Sequence, residues 1–528
     1  MNFARYGIIN AKKYPNREFL IEHVFPGNER RVRTWKEFSE EANKLANYLQ
    51  KECNIKPGDF VLHLQFNSLE WYTTFHGILR TGATPVPLNF RFFSQDIKFA
   101  SDAVGATAMI TEEKFLPRIQ PIQGEMPTIK KYICIGQEVP SDMISYSSII
   151  ENGDTTDVLV DVDDEACAEL MFTSGTTGKP KPVYQAHRNL YEIGIGSALS
   201  YNRGYNTIYL APYALYHSGM FFLTQACYLA GGKIVLTNSL KPKDLLDVMV
   251  QDRVNDTHWM VPTMTDFLNA IKSGELDLSQ YDLSFYGKVC EENAIGAQPV
   301  PPVMLEEIRK HTPFKTGNIY GITEGGGGGA FHCYDEDLDA HQGSIGKPTF
   351  NMEARIVDAN GNDVPVGEVG ELLLKGPKIM KEYYNNPELT AKTIVDGWLH
   401  TGDLARQDED GFFYIADRAK DLIIRGGENI FPAEIEAAIH RSPKVDDVAI
   451  IGAPHPKYVE MAMAIIQLKK GESMTQEEVI EVCKQAGLAK YKWPEKVVFD
   501  EVMRNTTNKL DKPAMREKYL GKREVSVL

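Results

Sequence analysis

The feature of this sequence that most restricts its fold is the alternation of apolar, strand-like runs with amphipathic helical stretches along its N-terminal part. Apolar runs at residues 60–62 and 108–110, and again near 208–210 and 233–236, are separated by segments with helical spacing of apolar residues. One such segment opens with Thr34-Trp35-Lys36-Glu37, which has the Thr-x-x-Glu spacing of a helix capping box. This βαβ rhythm predicts a parallel sheet with helices on both faces.

After about residue 343 the pattern changes to short strands joined by tight turns. Asn360-Gly361 and Asp410-Gly411 each border strand-like runs, and glycine supplies the positive φ that primed hairpin turns require. We interpret residues 343–416 as a β-rich, barrel-like subdomain. An α+β segment begins near Asp417 and continues to the C-terminus.

The chain has 528 residues, which is more than one ordinary domain contains. We therefore predict an α/β protein with a large N-terminal domain, residues 1–416, that includes the β-rich subdomain. A small α+β C-terminal domain is predicted to follow it.

Composition argues against several classes of protein. The net charge of −15 disfavours binding to nucleic acid or to an anionic membrane surface. The seven cysteines lie far apart without CxxC spacing, which argues against a disulfide framework or a structural zinc site. Since we find neither a secretory signal nor an uncharged apolar run of about 18 residues, we predict no integral membrane segment. We expect a cytoplasmic monomer or homodimer.

The most informative segment is a loop that follows an apolar run and combines hydroxyls, glycines and lysines. Glycine lets backbone N–H groups approach an anion, hydroxyls add donors, and lysines add positive charge. Pro180 stands where a Walker A loop has its metal-binding Ser or Thr, so the sequence predicts a different kind of phosphate-binding loop. Its candidate ligand-binding residues are Thr173, Ser174, Gly175, Thr176, Thr177, Gly178, Lys179 and Lys181.

Further motifs follow this loop along the chain. They are Tyr320-Gly321-Ile-Thr323-Glu324, Gly370-Glu371-Leu372, Thr401-Gly402-Asp403, Asp417-Arg418-Ala-Lys420-Asp421, Gly426-Gly427-Glu428-Asn429 and Asn508-Lys509. In this order they resemble the motifs of the adenylate-forming superfamily, which includes acyl-CoA synthetases, nonribosomal-peptide adenylation domains and luciferases. The resemblance covers nearly the whole chain and implies a reaction between ATP and a carboxylic acid. It also implies that the large N-terminal domain contains two α/β sheet subdomains beside the β-rich one, that residues 417–420 form a hinge, and that residues 421–528 form a small, mobile C-terminal domain.

The resemblance implies a nucleotide site. Tyr320, followed by Gly321, is expected to stack on the adenine. Thr323 is expected to donate to the α-phosphate, and Glu324 to hold Mg²⁺, a hard cation that prefers oxygen ligands. The other side of the adenine is expected to be lined by the backbone of Gly296, Ala297, Gln298 and Pro299.

By the same resemblance, Asp403 and Arg418 are expected to contact the ribose hydroxyls. Lys420 occupies the hinge position, at which the family's C-terminal module rotates between two half-reactions. The rotation withdraws the catalytic lysine and brings the loop with Gly426 and Gly427 to the pantetheine tunnel of CoA.

Lys509 is the implied catalytic lysine. A cation between the substrate carboxylate and the α-phosphate stabilises a transition state in which two anions meet. Lys512, the neighbouring lysine, is expected to be structural or exposed. His217 is expected beside the acyl site, although a histidine in an apolar stretch is more often a core residue.

Two positions depart from the family pattern. Pro182 replaces a glycine at the end of the phosphate loop, and Asn508 replaces the glycine before Lys509. Asparagine tolerates left-handed backbone better than most residues, so we expect Asn508 to preserve the turn. Neither change removes a catalytic group.

These observations predict an AMP-forming acid–CoA ligase that uses ATP, Mg²⁺ and coenzyme A, and whose small-molecule acid substrate is a hydrophobic carboxylic acid. An adenylation enzyme that loads a separate carrier protein is the alternative, and a non-catalytic nucleotide-binding homologue is a third. Fatty, aromatic and alicyclic acids all remain open. Trp259, Met220 and the glycine run at residues 325–329 are candidate walls of the acyl pocket. In the glycine run, missing side chains would leave room for a bulky or long acyl group; the alternative is that the run is an inert flexible loop.

Overall fold

The computed structural model describes residues 1–173, 180–286, 293–296, 300–425, 428–505 and 509–521. The chain forms two compact units. The first unit consists of Met1–Ala354 and Leu373–Thr401, and the second of Arg355–Leu372 and Gly402–Leu528. The domain boundary at Asp417 stays a prediction. Among the described residues, no helix combines the length and apolar character that a membrane span requires.

The helices and strands follow the alternation that the sequence predicts. The helices are α1 (Arg5–Lys13), α2 (Trp35–Lys51), α3 (Leu69–Arg80), α4 (Ser94–Val104), α5 (Leu116–Ile119), α6 (Tyr146–Asn152), α7 (His187–Ser200), α8 (Ser218–Ala230), α9 (Pro242–Asp252), α10 (Val261–Lys272), α11 (Pro302–His311), α12 (Pro387–Thr393), α13 (Pro432–Ile439), α14 (Gln476–Gln485) and α15 (Lys512–Leu520). The strands are β1 (Glu18–Val24), β2 (Glu29–Thr34), β3 (Phe60–Leu64), β4 (Thr84–Pro87), β5 (Ala108–Glu112), β6 (Lys131–Ile135), β7 (Ile144–Ser145), β8 (Cys167–Thr173), β9 (Lys181–Ala186), β10 (Ile208–Ala211), β11 (Lys233–Thr237), β12 (Asp256–Met260), β13 (Asn293–Gly296), β14 (Thr316–Tyr320), β15 (Phe331–Cys333), β16 (Lys347–Pro348), β17 (Glu353–Val357), β18 (Gly370–Lys375), β19 (Glu382–Tyr383), β20 (Ile394–Val395), β21 (Trp398–Gln407), β22 (Phe413–Arg418), β23 (Ile423–Arg425), β24 (Glu428–Ile430), β25 (Val445–His455), β26 (Val459–Leu468) and β27 (Lys496–Phe499).

The first unit contains the two α/β sheets that the sequence predicts. One has nine strands in the order β16-β15-β14-β13-β12-β10-β11-β1-β2, with parallel pairing from β14 through to β1 and antiparallel pairs at its two ends. The other is the parallel sheet β4-β3-β5-β6-β7. Ile234, Val235 and Leu236 of β11 are all fully buried, as expected for a parallel strand covered on both faces.

The predicted capping box at the start of α2 is present. The Thr34 hydroxyl oxygen accepts from the Glu37 backbone N–H at 3.2 Å, and the Glu37 carboxylate accepts from the Thr34 N–H at 2.8 Å. The first helical residue, Trp35, stacks on Phe19 of β1 with ring centroids 3.7 Å apart. The cap therefore fixes the helix start at a point where its first side chain enters the core.

A small antiparallel sheet in the first unit holds the ends of the phosphate-loop segment. Strands β8 and β9 form a hairpin in which Thr173 lies opposite Lys181, and β19 adds to β9 with Tyr383 opposite Val183. Residues 174–179 lie outside the described residues. The hairpin therefore fixes the positions of Thr173 and Lys181, which lie close to the two ends of that segment.

The second unit contains a hairpin from the β-rich stretch and an α+β sheet. Asp403 of β21 lies opposite Arg418 of β22, and the intervening turn has Gly411 at φ 83°. The sheet has the order β24-β23-β26-β25, with β27 parallel to β26. Apolar residues of β25 and β26 form its core with α13 and α15. The α+β character predicted for the C-terminal residues is confirmed.

Candidate active site

Three described candidate residues of the first unit each lie at the end of a strand. Tyr320 is the last residue of β14, Gly296 the last of neighbouring β13, and Thr173 the last of β8. In α/β sheets, ligands bind at the carboxyl ends of parallel strands. The predicted ligand-binding residues at 174–179, 297–299 and 426–427 lie outside the described residues, so their roles stay predictions.

Gly321 has to be glycine because another part of the backbone approaches it. A Cβ atom built on Gly321 would lie 1.5 Å from the carbonyl oxygen of Gly327. Gly296 is similarly confined, since its Cβ would lie 2.6 Å from the Ile319 carbonyl oxygen. The ring of Tyr320 meets Phe331 edge-on, with centroids 5.8 Å apart.

Thr323 and Glu324 begin a short turn after β14, and other elements of the first unit hold both. The Thr323 hydroxyl oxygen lies 2.8 Å from that of Ser218, the first residue of α8. The Gln185 side-chain amide of β9 donates to the Thr323 carbonyl oxygen at 3.0 Å. The backbone N–H of Met380 donates to the Glu324 carbonyl oxygen at 2.8 Å.

The Glu324 carboxylate is oriented by a buried tyrosine. The Tyr383 hydroxyl donates to Glu324 Oε1 at 2.8 Å. Burial and the adjacent carboxylate raise the pKa of the Tyr383 phenol, which keeps it protonated and able to donate. The Lys181 ammonium lies 5.4 Å from the centroid of the same ring. A carboxylate, a tyrosine and a cation thus lie beside the base of the phosphate-loop hairpin.

The donor set around Thr323 and Glu324 suits Mg²⁺ bound together with phosphates. Among the described residues there is no cluster of three or more His, Cys, Asp and Glu side chains that could hold a metal alone. Nucleotide enzymes usually hold Mg²⁺ by one or two carboxylates, with phosphate and water oxygens completing the octahedron. A single oriented carboxylate beside a hydroxyl fits that arrangement.

His217 lies at the N-cap of α8. Its carbonyl oxygen accepts from the N–H groups of Met220 and Phe221, and its ring lies 4.9 Å from that of Tyr216. His217 is half-buried and directly precedes Ser218, which contacts Thr323. The structure therefore brings His217 near the Thr323 turn, and its role toward the acyl group stays a prediction.

The glycine run is packed rather than open over most of its length. Gly327 has φ 73°, and a Cβ there would lie 2.8 Å from the Ser218 carbonyl oxygen. A Cβ on Gly326 would lie 2.8 Å from Lys378, whereas Gly329 has no atom within 4 Å of its Cβ position. Of these three glycines only Gly329 has room for an added side-chain atom, and the role of the run as a wall of the acyl pocket stays a prediction. Trp259 and Met220, the other candidate walls, are buried core residues.

Lys378 lies beneath the glycine run. Its ammonium donates to the Gly329 carbonyl oxygen at 3.1 Å and to the Thr349 hydroxyl at 2.9 Å, and the residue is 1% exposed. Burial lowers the pKa of Lys378 to about 8, because the charged form loses its hydration. A cation thus anchors the loop that follows Glu324.

In the second unit, the two predicted ribose-binding residues form an ion pair. Arg418 Nε lies 2.6 Å from Asp403 Oδ1, and the Asp403 side chain is 3% exposed. Glu371, of the Gly-Glu-Leu motif, accepts from the Gly402 backbone N–H at 3.1 Å. The sequence motifs at Glu371, Asp403 and Arg418 thus meet in one place in the second unit.

Lys509 and Lys512 have different environments. Lys509 is exposed; its N–H donates to Asn505 Oδ1 at 3.1 Å, and its carbonyl oxygen accepts from the Asn505 N–H at 2.9 Å. Lys512 is buried and pairs with Glu436 at 2.8 Å, the structural role expected of it. The predicted hinge residue Lys420 lies directly after β22 and is exposed.

Four residues that hold the site were not predicted from the sequence. They are Gln185, Ser218, Lys378 and Tyr383. Each contacts the Thr323 turn or the glycine run from a distant part of the chain. No local motif indicates these contacts. A prediction of strand register would have found one of them, because Tyr383 lies opposite Val183 of β9.

Family models agree with this arrangement. The AMP-binding enzyme model matches residues 9–384, and the model of the AMP-binding enzyme C-terminal domain matches residues 434–509.

Curated relatives and a solved structure extend the similarity over nearly the full chain. A long-chain-fatty-acid–CoA ligase of Escherichia coli O6:H1 is 30% identical over 93% of this chain and 91% of its own. A fatty acid–[acyl-carrier-protein] ligase of Streptomyces coeruleorubidus is 28% identical over 93% of each. The o-succinylbenzoate CoA synthetase of Bacillus subtilis in complex with ATP and magnesium ion has a TM-score of 0.83 at 27% identity, covering 97% of this chain and 99% of that one.

Proposed function

The chain belongs to the AMP-binding enzyme family, and on that premise we propose that it is an ATP-dependent ligase joining a hydrophobic carboxylic acid to coenzyme A with release of AMP and pyrophosphate. Its substrates are ATP and the acid in the first half-reaction, and CoA in the second. The observation that carries this proposal is the Thr323–Glu324 turn, where a hydroxyl and a tyrosine-oriented carboxylate lie at the end of the strand that carries Tyr320.

In the first half-reaction a carboxylate oxygen of the acid attacks the α-phosphorus of ATP, and the bond from that phosphorus to pyrophosphate breaks. Thr323 donates to the α-phosphate through its hydroxyl, which Ser218 orients. Bound Mg²⁺ would neutralise phosphate charge, with Glu324 as its protein ligand. Tyr320 stacks on the adenine.

Lys509 places a positive charge between the carboxylate and the α-phosphate, where the transition state gains negative charge. Asp403 binds the ribose hydroxyls as an acceptor, and its ion pair with Arg418 holds the carboxylate in place. In the second half-reaction the CoA thiol attacks the acyl carbon, the bond from acyl carbon to the AMP oxygen breaks, and the thiol proton is released. Lys420 serves as the hinge between these stages, residues 421–528 form the mobile domain, and Gly426-Gly427 line the path of pantetheine.

The identity of the acid is open, since one relative is named as a long-chain-fatty-acid–CoA ligase and another as a 2-succinylbenzoate–CoA ligase, whose acid is aromatic. A screen of pyrophosphate release across acids of graded chain length and ring content identifies it. We expect release to require both the acid and ATP, and to be greatest with an apolar acid. Release without an acid, or with none of the apolar acids, would contradict the proposal.

A carrier protein is the second candidate acceptor, because one relative is named as a fatty acid–[acyl-carrier-protein] ligase. Incubating the enzyme, ATP and the preferred acid with either CoA or a phosphopantetheinylated carrier distinguishes the two. We expect a CoA thioester. Acyl transfer to the carrier without formation of a CoA thioester would establish the alternative.

Lys509→Ala tests the assignment of the catalytic lysine. We expect acid-dependent pyrophosphate release to fall by orders of magnitude, because the charge between the two anions is lost. Thioester formation from preformed acyl-AMP should largely survive. Lys512→Ala is not a suitable control, because Lys512 is buried in an ion pair. Lys496 is exposed, and Lys496→Ala should leave both half-reactions unchanged. Unchanged pyrophosphate release in Lys509→Ala would show that the residue is misassigned.

A further inference from the structure

Gln185 joins the phosphate-loop hairpin to the Thr323 turn. It lies on β9, four residues after Lys181, and its side chain is fully buried. Its Nε2 donates to the carbonyl oxygen of Thr323 at 3.0 Å. Because Thr323 and the hairpin lie 138 residues apart in sequence, this hydrogen bond is a direct tie between two segments expected to hold the triphosphate.

The orientation of the Gln185 amide is fixed by chemistry. A backbone carbonyl only accepts, so the nitrogen of the amide must face Thr323 and the oxygen must point away. Among the described residues, Gln185 Oε1 is buried and has no hydrogen-bond donor. A buried amide oxygen without a donor is costly, and native structures seldom leave one so.

The residue directly opposite Gln185 in the hairpin is Glu169 of β8. Directly opposed residues of antiparallel strands project from the same face, with Cβ atoms about 4.5–5.5 Å apart. Glu169 is 0% exposed, and neither of its carboxyl oxygens has a partner among the described residues. Burial raises the pKa of Glu169 well above its usual value and so favours the neutral carboxylic acid, which has one O–H to donate.

We propose that Gln185 is a positioning residue that holds Thr323 against the phosphate-loop hairpin, and that neutral Glu169 supports it by donating to Gln185 Oε1. The chain of donors then runs from Glu169 to Gln185 to the Thr323 carbonyl, while the Thr323 hydroxyl contacts Ser218. This inference rests on the proposed function, in which the Thr323 hydroxyl meets the α-phosphate.

Four variants test the proposal by the kcat of acid-dependent pyrophosphate release. Gln185→Leu removes the donor to Thr323 at similar volume, and we expect kcat to fall about 10- to 100-fold. Glu169→Gln keeps a neutral donor, so kcat should stay within threefold of wild type. Glu169→Leu removes that donor and should lower kcat at least fivefold. The double variant with leucine at both positions should be no slower than Gln185→Leu alone, because the two residues act in one chain.

Gln225→Leu is the matched control. Gln225 is equally buried, its Oε1 also has no partner among the described residues, and its Nε2 donates to the Phe221 carbonyl oxygen at 2.9 Å within α8. Loss of this amide should lower Tm to an extent similar to Gln185→Leu while kcat stays within twofold of wild type. A purely structural role for Gln185 would make the two glutamine variants alike in both measurements.

The outcomes separate this inference from the proposed function. If wild type releases pyrophosphate and folded Gln185→Leu is equally fast, or if folded Glu169→Gln is as slow as Glu169→Leu, the inference is wrong and the function stands. If Gln185→Leu does not fold, the two Glu169 variants still decide. If wild type itself releases no pyrophosphate with any acid, the proposed function fails. The Gln185–Thr323 hydrogen bond is then tested by measuring ATP affinity by calorimetry: the affinity should weaken at least threefold in Gln185→Leu and stay unchanged in Gln225→Leu.

Discussion

Replacing Tyr383 with phenylalanine tests whether the oriented Glu324 carboxylate is the metal ligand. The substitution removes one oxygen from a residue that is 6% exposed and leaves the ring in place. The lost contact is the 2.8 Å hydrogen bond to Glu324 Oε1. Glu324 would then be free to adopt other rotamers, because no other hydrogen bond to its carboxylate is found among the described residues.

The size of the effect follows from the type of bond. A hydrogen bond to a charged group contributes about 1.5–3 kcal/mol, and about 1.4 kcal/mol corresponds to a factor of ten. Outer partners of metal-binding carboxylates typically change metal affinity or activity by about 10- to 100-fold. We therefore expect Tyr383→Phe to raise the half-saturating Mg²⁺ concentration at least tenfold, with a smaller change in kcat at saturating Mg²⁺.

The assay is acid-dependent pyrophosphate release titrated with Mg²⁺ at fixed, saturating ATP. Tyr384→Phe is the matched control, because the neighbouring tyrosine packs its ring on Phe60, 5.0 Å between centroids, and not on Glu324. Its half-saturation should match wild type. An Mg²⁺ half-saturation within twofold of wild type in folded Tyr383→Phe would refute the role of Tyr383 in orienting a metal ligand.

Two further predictions concern buried charges of the first unit. The pKa of Lys378 is lowered to about 8 in the folded state, so between about pH 8 and 10.5 the unfolded state binds more protons and stability rises with pH. The Tm difference between wild type and Lys378→Met should therefore shift in favour of wild type across this range, by an amount worth at most roughly 3 kcal/mol. A Tm difference that does not change with pH would contradict the buried cation. Arg203 and Asp256 form an ion pair with both side chains 0% exposed, so Asp256→Asn should lower the free energy of unfolding by about 3–5 kcal/mol in denaturant titrations, and a loss below about 1 kcal/mol would show that the pair is dispensable.

Local signals in the sequence were enough to predict much of the fold. The Thr34–Glu37 capping box, the apolar run of β11 and the glycine of the turn at Gly411 each depend on interactions within a few residues. Their structure follows from helix capping, burial on two faces and positive φ. The βαβ alternation and the α+β segment were therefore predictable before their packing was known, whereas the division into two sheets came from the family resemblance.

The support of the site was less predictable, because it depends on contacts between distant segments. Thr323 and Glu324 were identified by motif, but Tyr383 reaches Glu324 from 59 residues away, and Lys378 reaches Gly329 from 49. Open space for an acyl group was one of two interpretations of the glycine run, yet Gly326 and Gly327 are packed against Lys378 and α8. A glycine shows that a side chain is absent, and only the fold shows what occupies the space.

The central claim, that the acid is activated as acyl-AMP, is tested most directly by following the carboxylate oxygen. The preferred acid is labelled with oxygen-18 in both carboxylate positions and incubated with the enzyme, ATP and CoA, and the products are analysed by mass spectrometry. Attack of the carboxylate on the α-phosphorus leaves one acid oxygen on phosphorus when the thiol displaces AMP. We predict one oxygen-18 atom in each AMP formed and none in pyrophosphate. Unlabelled AMP, or label recovered in inorganic phosphate, would contradict activation through acyl-AMP.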